Sequence, residues 1–300
     1  MTRRRAHSLK EHGELIQKAF APQQGAPKPD ALQIRSSDIV ITPFAKSGTT
    51  WLQQMVHTLR TGGDMDFDDI SRVVPWVENS SMLGLDINAE QRANPRAFKS
   101  HLTYEELPPG GRYINSVRDP RDALFSMFKF MEGWFIEPGT VPLEEFALQF
   151  IDRGGYWKHL LSWWNVRNEN FVLFLCYETM QTEIDLSIER VAEFIDVPLT
   201  AKLKAITLKH TSIDFMKQHK DRFDDAMMRK MSEERAGIPV GSDSSKVREG
   251  RVGDHKENLS PAIINALDKV WQKEITPITG CKNYEKLQEK LKAGMEGSAE

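Results

Sequence analysis

The sequence is poor in cysteine and has almost no net charge. Its 300 residues include two cysteines, Cys176 and Cys281, too few for a disulfide framework or for a zinc site with four cysteine ligands. The 40 Lys and Arg residues nearly balance the 43 Asp and Glu residues, for a formal net charge of −3. The chain therefore lacks the overall basic charge of a nucleic-acid coat, so no nucleic-acid partner is expected and any site for an anion must be a local arrangement.

Long hydrophobic runs are also absent. The longest apolar stretch, residues 171–177, is far shorter than the roughly 18 residues that a membrane-spanning helix needs. The basic residues 3–5 are not followed by an apolar segment, so no secretory signal is expected. With so little cysteine, these features predict a cytoplasmic protein without a membrane partner. Hydrophobic residues still make up 40% of the chain, which is enough for an ordinary globular core.

Short apolar runs alternate with helical patterns along most of the chain. Strands are expected at residues 38–42, 97–102, 112–117 and 171–177. Helices are expected at 49–60, 121–130 and 156–166, and over 185–217 with a break near Pro198. This alternation is typical of βαβ units and predicts a single α/β domain with a central parallel sheet flanked by helices.

The ends of the chain are predicted to lie outside this domain. The expected division is an N-terminal extension at 1–37, the domain at 38–286 and a charged C-terminal tail at 287–300. Residues 236–258 are rich in glycine, serine and charge, and they are predicted to form a long loop, which at this length is usually either functional or disordered. Ser260 and Pro261 then fit the N-cap and the first position of a further helix.

The segment between the first predicted strand and helix concentrates groups that bind anions. It reads Pro43-Phe-Ala-Lys-Ser-Gly-Thr-Thr-Trp-Leu52. The helix dipole and the first backbone N–H groups of a helix favour an anion, Gly48 allows close approach of the backbone, and Lys46 adds a full charge. Hydroxyl donors also lie in the segment: Ser47, Thr49 and Thr50. The order differs from that of a Walker A loop, in which Gly directly precedes Lys.

This segment resembles the phosphosulfate-binding loop of cytosolic-type sulfotransferases, which use 3′-phosphoadenylyl sulfate (PAPS) as donor. Three further segments resemble that family in order: Pro95-Arg-Ala-Phe-Lys-Ser-His-Leu102, Val117-Arg-Asp-Pro-Arg-Asp-Ala-Leu-Phe-Ser126 and Arg248-Glu-Gly-Arg-Val-Gly-Asp-His-Lys256. The resemblance covers roughly residues 39–273 and implies an α/β fold with a P-loop-like phosphosulfate-binding loop. It also implies the product adenosine 3′,5′-bisphosphate (PAP), no metal, and a small-molecule acceptor with a hydroxyl or an amine.

The resemblance further implies roles for individual residues. His101 would be the general base for the acceptor proton, a task that suits an imidazole at neutral pH. Lys99 would stabilise charge on the transferring sulfuryl group, and Lys46 would do so at the bridging oxygen. Arg118 and Ser126 would bind the 3′-phosphate, and Ser126 is also placed in the catalytic set.

Other positions are assigned to the donor site or to the acceptor pocket. Trp51 matches the adenine stacker, although a helix-core role stays open for it. The remaining donor-site candidates are Tyr177, Thr211, Arg248, Glu249 and Gly250. Aromatic and Met residues suit an apolar acceptor pocket, for which the candidates are Phe44, Trp76, Met131, Trp134 and Phe135. A solvated ion pair is expected for Arg121, and a packing role for His255.

Departures from the family pattern leave other interpretations of the function and the origin of the protein open. Ala45, Glu249 and His255 stand where the family usually has Pro, Lys and Trp, which suggests a bacterial or otherwise divergent member. The dimer motif of animal members is absent, so the homo-oligomeric state stays open. The alternative functions are a P-loop-like nucleotide kinase and a nucleotide-binding module without turnover. The loop order and the lack of an obvious Mg²⁺ carboxylate argue against the kinase. The intact Lys46, Lys99 and His101 argue against the module.

Overall fold

A four-stranded parallel sheet organises the protein, whose computed structural model describes residues 3–21, 31–243, 246–247 and 250–296. The strands are β1 (Ile39–Ile41), β2 (Ala97–Lys99), β3 (Arg112–Val117) and β4 (Val172–Cys176). Their order across the sheet is β2-β1-β3-β4. Val40 of β1 pairs with Phe98 on one side and with Tyr113 on the other. The parallel sheet predicted from the alternating pattern is confirmed.

Helices connect the strands and cover both faces of the sheet. In the described ranges they are α1 (Leu9–Phe20), α2 (Thr49–Thr61), α3 (Ile70–Val73), α4 (Pro120–Trp134), α5 (Leu143–Arg153), α6 (Gly155–Asn165), α7 (Tyr177–Thr182), α8 (Ile184–Phe194), α9 (Ala201–His210), α10 (Ile213–Gln218), α11 (Ala226–Ala236), α12 (His255–Asn258), α13 (Pro261–Val270), α14 (Thr276–Thr279) and α15 (Tyr284–Glu296). A π-helical turn, Trp271–Ile275, joins α13 to α14. None of these helices is long and apolar enough to cross a membrane.

Alternate side chains of each strand enter two separate cores, because successive residues of a strand point to opposite faces. Phe98 and Phe174 belong to a core that also contains buried residues of α4, α5, α6 and α13. Ile41 and Leu175 belong to the other core, with residues of α2 and α8. Both faces of the sheet are covered, which explains why the strands read as continuous apolar runs in the sequence.

Local sequence signals explain where several helices begin. The Asp119 side chain accepts a hydrogen bond from the backbone N–H of Arg121 and so caps α4, with Pro120 in the first turn. Ser260 caps α13 in the same way, as predicted. The loop predicted at 236–258 is confirmed for the described residues of 237–254, which lie in no helix or strand. Its predicted ends are wrong, because residue 236 belongs to α11 and residues 255–258 form α12.

Both ends of the chain pack against the domain, whereas the sequence predicts that they lie outside it. Helix α1, within the predicted extension, packs against α11 and buries Ala19 completely. The backbone N–H of Ala6 donates to the carbonyl oxygen of Phe135 at 2.8 Å. At the other end, the predicted boundary at 287 falls inside α15, where Leu287 is buried. Apolar side chains therefore bind both segments to the domain.

Candidate active site

Four chain segments converge where the strands end. The anion-binding loop follows β1, His101 follows β2, Arg118 follows β3 and Tyr177 follows β4. From β1 the chain crosses to β2, on one side of β1, and then to β3, on the other side of β1. Ligands of open parallel sheets bind at such a switch point. A cavity of about 700 Å³ opens there. Another cavity, of about 860 Å³, lies near Arg222 and is lined by none of the predicted site residues that the structure describes.

The cavity brings together most of the residues that the sequence singled out. Those lining it are Lys46, Gly48, Thr49, Thr50, Trp51, Trp76, Lys99, His101, Arg118, Ser126, Met131, Trp134, Phe135, Tyr177, Thr211 and Gly250. Ser47 is fully buried and is not among the described residues that line the cavity. Arg248 and Glu249 fall outside the described residues, so their roles stay predictions.

The placement of Phe44 corrects its assignment to the acceptor pocket. Its ring packs edge-on against Tyr156, with 5.3 Å between the ring centroids. It also contacts the rings of Phe150 and His159, and it is not among the described residues that line the cavity. Phe44 therefore supports the loop from the core side. An apolar residue beside a motif can pack in the core as readily as it can line a pocket.

The loop between β1 and α2 curls around the N-terminus of the helix. Lys46 and Gly48 have left-handed backbone, with φ of 69° and 100°. A Cβ atom on Gly48 would lie 3.0 Å from Cδ2 of Tyr177, so glycine is needed there for space as well as for conformation. In the part of the chain that the structure describes, the buried Ser47 Oγ and Thr49 Oγ1 have no hydrogen-bond partner. Buried donors at a helix N-terminus fit an anionic ligand such as the phosphosulfate of the donor.

Arg118 joins the loop to the segment that closes over it. Its Nη1 donates to the carbonyl oxygen of Lys46 at 3.0 Å, and its Nη2 donates to that of Arg251 at 3.1 Å. The guanidinium Cζ lies 4.5 Å from the centroid of the Tyr177 ring. Nε of this buried side chain has no hydrogen-bond partner among the described residues. Arg118 thus holds both walls of the cavity and keeps a donor for a phosphate. Ser126 faces the same cavity from α4.

The Trp51 indole is anchored by a hydrogen bond at Nε1 and lines the cavity. The indole Nε1 donates to the carbonyl oxygen of Thr211 at 2.9 Å. The ring meets Tyr177 in a T-shaped contact, with 5.6 Å between the centroids. It is half-buried and lines the cavity, so the residue combines packing on α2 with a surface that a flat base can stack on.

The imidazole of His101 is held in one tautomer. Nδ1 lies 2.8 Å from the carbonyl oxygen of Pro43, and because a carbonyl only accepts, Nδ1 carries the hydrogen and Nε2 keeps its lone pair. The backbone N–H of His101 donates to the buried Glu78 carboxylate at 2.6 Å. Burial, assisted by the nearby charge of Lys99, lowers the pKa of His101 to about 3. The ring is therefore neutral and able to accept a proton at Nε2.

Two ammonium groups lie on aromatic faces in the same cavity. Nζ of Lys99 is 4.2 Å from the centroid of the Trp76 ring and 3.0 Å from Oδ1 of Asp225. Burial lowers the pKa of Lys99 to about 8. Nζ of Lys46 lies 4.4 Å from the centroid of the Phe130 ring. Both positive charges are partly desolvated, which strengthens their attraction for a negative group.

The far end of the cavity is apolar and includes residues that sequence reasoning missed. Trp134 and Phe135, which the sequence assigns to the acceptor pocket, line it together with Phe130. Ile16 and Phe20 of α1 complete this wall. The sequence did not indicate these two residues, because the predicted domain begins at residue 38 and leaves α1 outside. The amphipathic pattern of the α1 segment is the signal that could have identified them.

Asp122 is a further residue that sequence reasoning missed, although it lies within a matched motif. Its carboxylate accepts hydrogen bonds from the backbone N–H of Gly253 at 2.7 Å and of His255 at 3.0 Å. It also accepts from Nδ1 of His255 at 2.7 Å. Burial raises the pKa of Asp122, but these hydrogen bonds outweigh burial and the net direction is down. Asp122 therefore anchors the closing segment, and His255 does more than pack.

Arg121 is not among the described residues that line the cavity. It pairs with the carboxylate of Asp119 at 2.6 Å and with that of Glu285 at 2.5 Å. The ion pair expected from the sequence is therefore present. Across the described ranges, no group of three or more His, Cys, Asp or Glu side chains is arranged to hold a metal ion.

Comparison with known proteins places the chain in a family. The sequence profile of the sulfotransferase domain matches residues 36–290. Luciferin sulfotransferase of Photinus pyralis is 28% identical, over 81% of this chain and 73% of the relative. Sulfotransferase 1B1 of Canis lupus familiaris is also 28% identical, over 82% of this chain and 86% of the relative. A retinol dehydratase in complex with androsterone and the inactive cofactor PAP has the same fold, with a TM-score of 0.68 and 19% identity over 90% of this chain and 95% of that one. The family profile covers most of the chain and all of the cavity's strand ends, so the protein belongs to the sulfotransferase family.

Proposed function

We propose that this sulfotransferase transfers the sulfuryl group of PAPS to a hydroxyl or an amine of a small-molecule acceptor. One observation carries the proposal: Lys46, Lys99 and the Nε2 side of a neutral His101 meet in one cavity that begins at the anion-binding loop. The PAP complex of the similarly folded retinol dehydratase supports a nucleotide of this kind.

The donor is bound from the loop end of the cavity. The first turn of α2, with the hydroxyls of Ser47 and Thr49, receives the phosphosulfate. Arg118 and Ser126 receive the 3′-phosphate, and the predicted Arg248, Glu249 and Gly250 approach it from the closing segment. Trp51 stacks on the adenine, with Tyr177 and Thr211 beside it.

The transfer is a substitution at sulfur. His101 Nε2 takes the proton of the acceptor while the acceptor oxygen or nitrogen forms its bond to sulfur. The bond between sulfur and the bridging oxygen breaks, and its electron pair leaves with PAP. Lys99 stabilises the negative charge of the sulfuryl oxygens, and Lys46 stabilises the bridging oxygen that receives the pair. These fixed cations supply the charge stabilisation for which phosphoryl-transfer enzymes use Mg²⁺, and we propose that no metal takes part.

The acceptor binds at the apolar end. Trp76, Met131, Trp134 and Phe135 would enclose its hydrophobic body and leave its nucleophile near His101. We further propose a cytoplasmic location, which the two buried, unpaired cysteines support because disulfides are rare in a reducing compartment.

A binding screen followed by a transfer screen tests the function. PAP should raise the melting temperature and ATP with Mg²⁺ should not, since a ligand that binds only the folded state stabilises it by about 2.7 kcal/mol at a hundredfold excess over Kd. Arg118→Met should lose the response to PAP, whereas the matched Arg121→Met, outside the cavity, should keep it. Labelled PAPS is then offered with phenols, alcohols, sterols and amines.

Each outcome of these screens separates the alternatives. Labelled product with any acceptor class supports sulfuryl transfer and names the class. A response to ATP with Mg²⁺ and none to PAP would point to a kinase. A response to PAP without any transfer or PAPS breakdown would leave a nucleotide-binding module.

A further inference from the structure

A buried carboxylate lies between two lysines at the wall of the cavity. Oδ1 of Asp225 is 3.0 Å from Nζ of Lys99, and Oδ2 forms an ion pair with Nζ of Lys246. The hydroxyl of Ser71 donates to Oδ1 at 3.3 Å. Asp225 is 5% exposed and Lys99 is 1% exposed. Neither the motifs nor the residue patterns of the sequence drew attention to this arrangement, since the three charges lie far apart in the chain.

The backbone around Asp225 is built to present this side chain. Asp225 has φ of 47°, a left-handed conformation that is strained for a residue other than glycine and persists only where its surroundings impose it. It directly precedes α11, and the carboxylate of Asp69 accepts hydrogen bonds from the N–H of Met227 at 3.0 Å and of Ser71 at 2.8 Å. Asp69 thereby fixes both the start of α11 and the serine that contacts Asp225.

We infer that Asp225 is the positioning residue for Lys99, an inference that rests on the proposed role of Lys99 in sulfuryl transfer. Its carboxylate holds the ammonium group against the Trp76 ring at the cavity wall. It also keeps that group protonated in a site where burial favours the neutral amine. Through Lys246 it ties the end of β2 to the segment that leads into Gly250.

The charges around Lys99 act on its protonation in opposite directions. Burial lowers the pKa of Lys99 most, and the charge of Lys246 lowers it further. Asp225 and, more weakly, Asp69 raise this pKa, but the net pKa stays below its usual value. On the β2 side the ammonium faces His101, which is neutral. Removing Asp225 should therefore lower the pKa of Lys99 further. Removing Lys246 should raise it, because Asp225 would then pair with Lys99 alone.

Nuclear magnetic resonance of labelled lysine tests this inference directly. The ¹³Cε shift of Lys99, assigned with Lys99→Gln, is followed against pH in the full chain with PAP present. In Asp225→Asn the midpoint should fall by about one to three pH units, the usual range for losing an opposite charge at this distance. In Lys246→Gln it should rise, and in Asp225→Glu it should stay near that of the wild type. The neighbouring Asp224→Asn, whose carboxylate pairs with Arg229, is the matched control and should leave the midpoint in place.

The pH dependence of kcat, measured with an acceptor from the transfer screen, provides the second reading. The alkaline limb of kcat should move with the Lys99 midpoint in each variant, because the protonated amine is the active form. An unchanged midpoint in Asp225→Asn would overturn the inference, as would a moved midpoint with a fixed alkaline limb. If Asp225→Asn does not fold, the Lys99 midpoint in Lys246→Gln tests the inference instead. A Lys99 midpoint that falls in that variant, or stays at the wild-type value, would overturn the inference. The titration needs no turnover, so failure of the proposed reaction would be visible separately.

Discussion

Gly48 offers the sharpest test of the loop geometry, because replacing it with alanine adds one carbon atom at a known place. The new Cβ would lie 3.0 Å from Cδ2 and 3.5 Å from Cε2 of Tyr177, and 3.4 Å from Oγ of Ser116. The Tyr177 ring is buried and has the guanidinium of Arg118 over it, so it has little room to withdraw. Gly48→Ala should therefore disturb both the N-terminus of α2 and the Tyr177 ring, which lies beside the proposed adenine position.

The expected loss of stability has two parts. A left-handed backbone costs an L residue about 1–2 kcal/mol. Overpacking by one carbon atom typically costs about 1–3 kcal/mol more. We therefore expect Gly48→Ala to lower the free energy of unfolding by about 2–5 kcal/mol. If the loop or the ring moves to relieve the contact, PAP affinity should fall about tenfold or more, which corresponds to about 1.4 kcal/mol.

Gly62 at the other end of α2 provides the matched control. It has φ of 70°, and nothing lies within 4 Å of where its Cβ would stand. Gly62→Ala should therefore cost the backbone part alone, about 1–2 kcal/mol, and leave PAP affinity unchanged. Urea denaturation gives the free energy of unfolding of both variants, and calorimetry with PAP gives their affinities.

Two results of this comparison would contradict the reasoning from the Gly48 contact. If Gly48→Ala is no less stable than Gly62→Ala and binds PAP within twofold of the wild type, the loop does not approach Tyr177 as described. If both variants lose PAP affinity equally, the effect is a general loosening of α2, and the argument from the local contact fails.

Further predictions concern catalysis, metal dependence and pH. His101→Gln should lower kcat by about 10²–10⁴ while PAP affinity stays within twofold, and a variant that keeps half of kcat would contradict the general base. Transfer should survive excess EDTA, and loss of activity that Mg²⁺ restores would contradict the metal-free proposal. Asp122→Asn should weaken PAP binding by loosening the segment at Gly253, as calorimetry can check, because its carboxylate accepts three hydrogen bonds there. Burial lowers the pKa of His12, His57 and His159 to about 4 and that of His101 to about 3. The unfolded chain binds these protons first, so denaturation curves should show stability falling as pH drops from about 6.5 towards 4, by up to about 1.4 kcal/mol per histidine and pH unit.

The strands and the anion-binding loop could be predicted because their signals are local. A buried parallel strand needs a continuous apolar run, as at Val172–Cys176, and a helix N-terminus that follows a strand needs glycine and hydroxyl residues, as at Gly48 and Thr49. The positions of Lys46, Lys99, His101 and Arg118 follow from this order, because the carboxyl ends of parallel strands meet at one edge of the sheet. The position of α1 does not follow, since an amphipathic helix can cover many surfaces.

The sequence by itself therefore determined the sheet, the loop and the residues at the strand ends, all of which depend on neighbours within a few positions. Only the tertiary structure decided that Phe44 packs into the core, that Ile16 and Phe20 line the cavity, and that Asp225 contacts Lys99. These contacts join residues that are distant in the chain, and they depend on how the helices pack over the sheet. A charge such as that of Asp225 looks like any other surface carboxylate in the sequence, and its effect on a buried lysine exists only once the two are brought together and water is excluded.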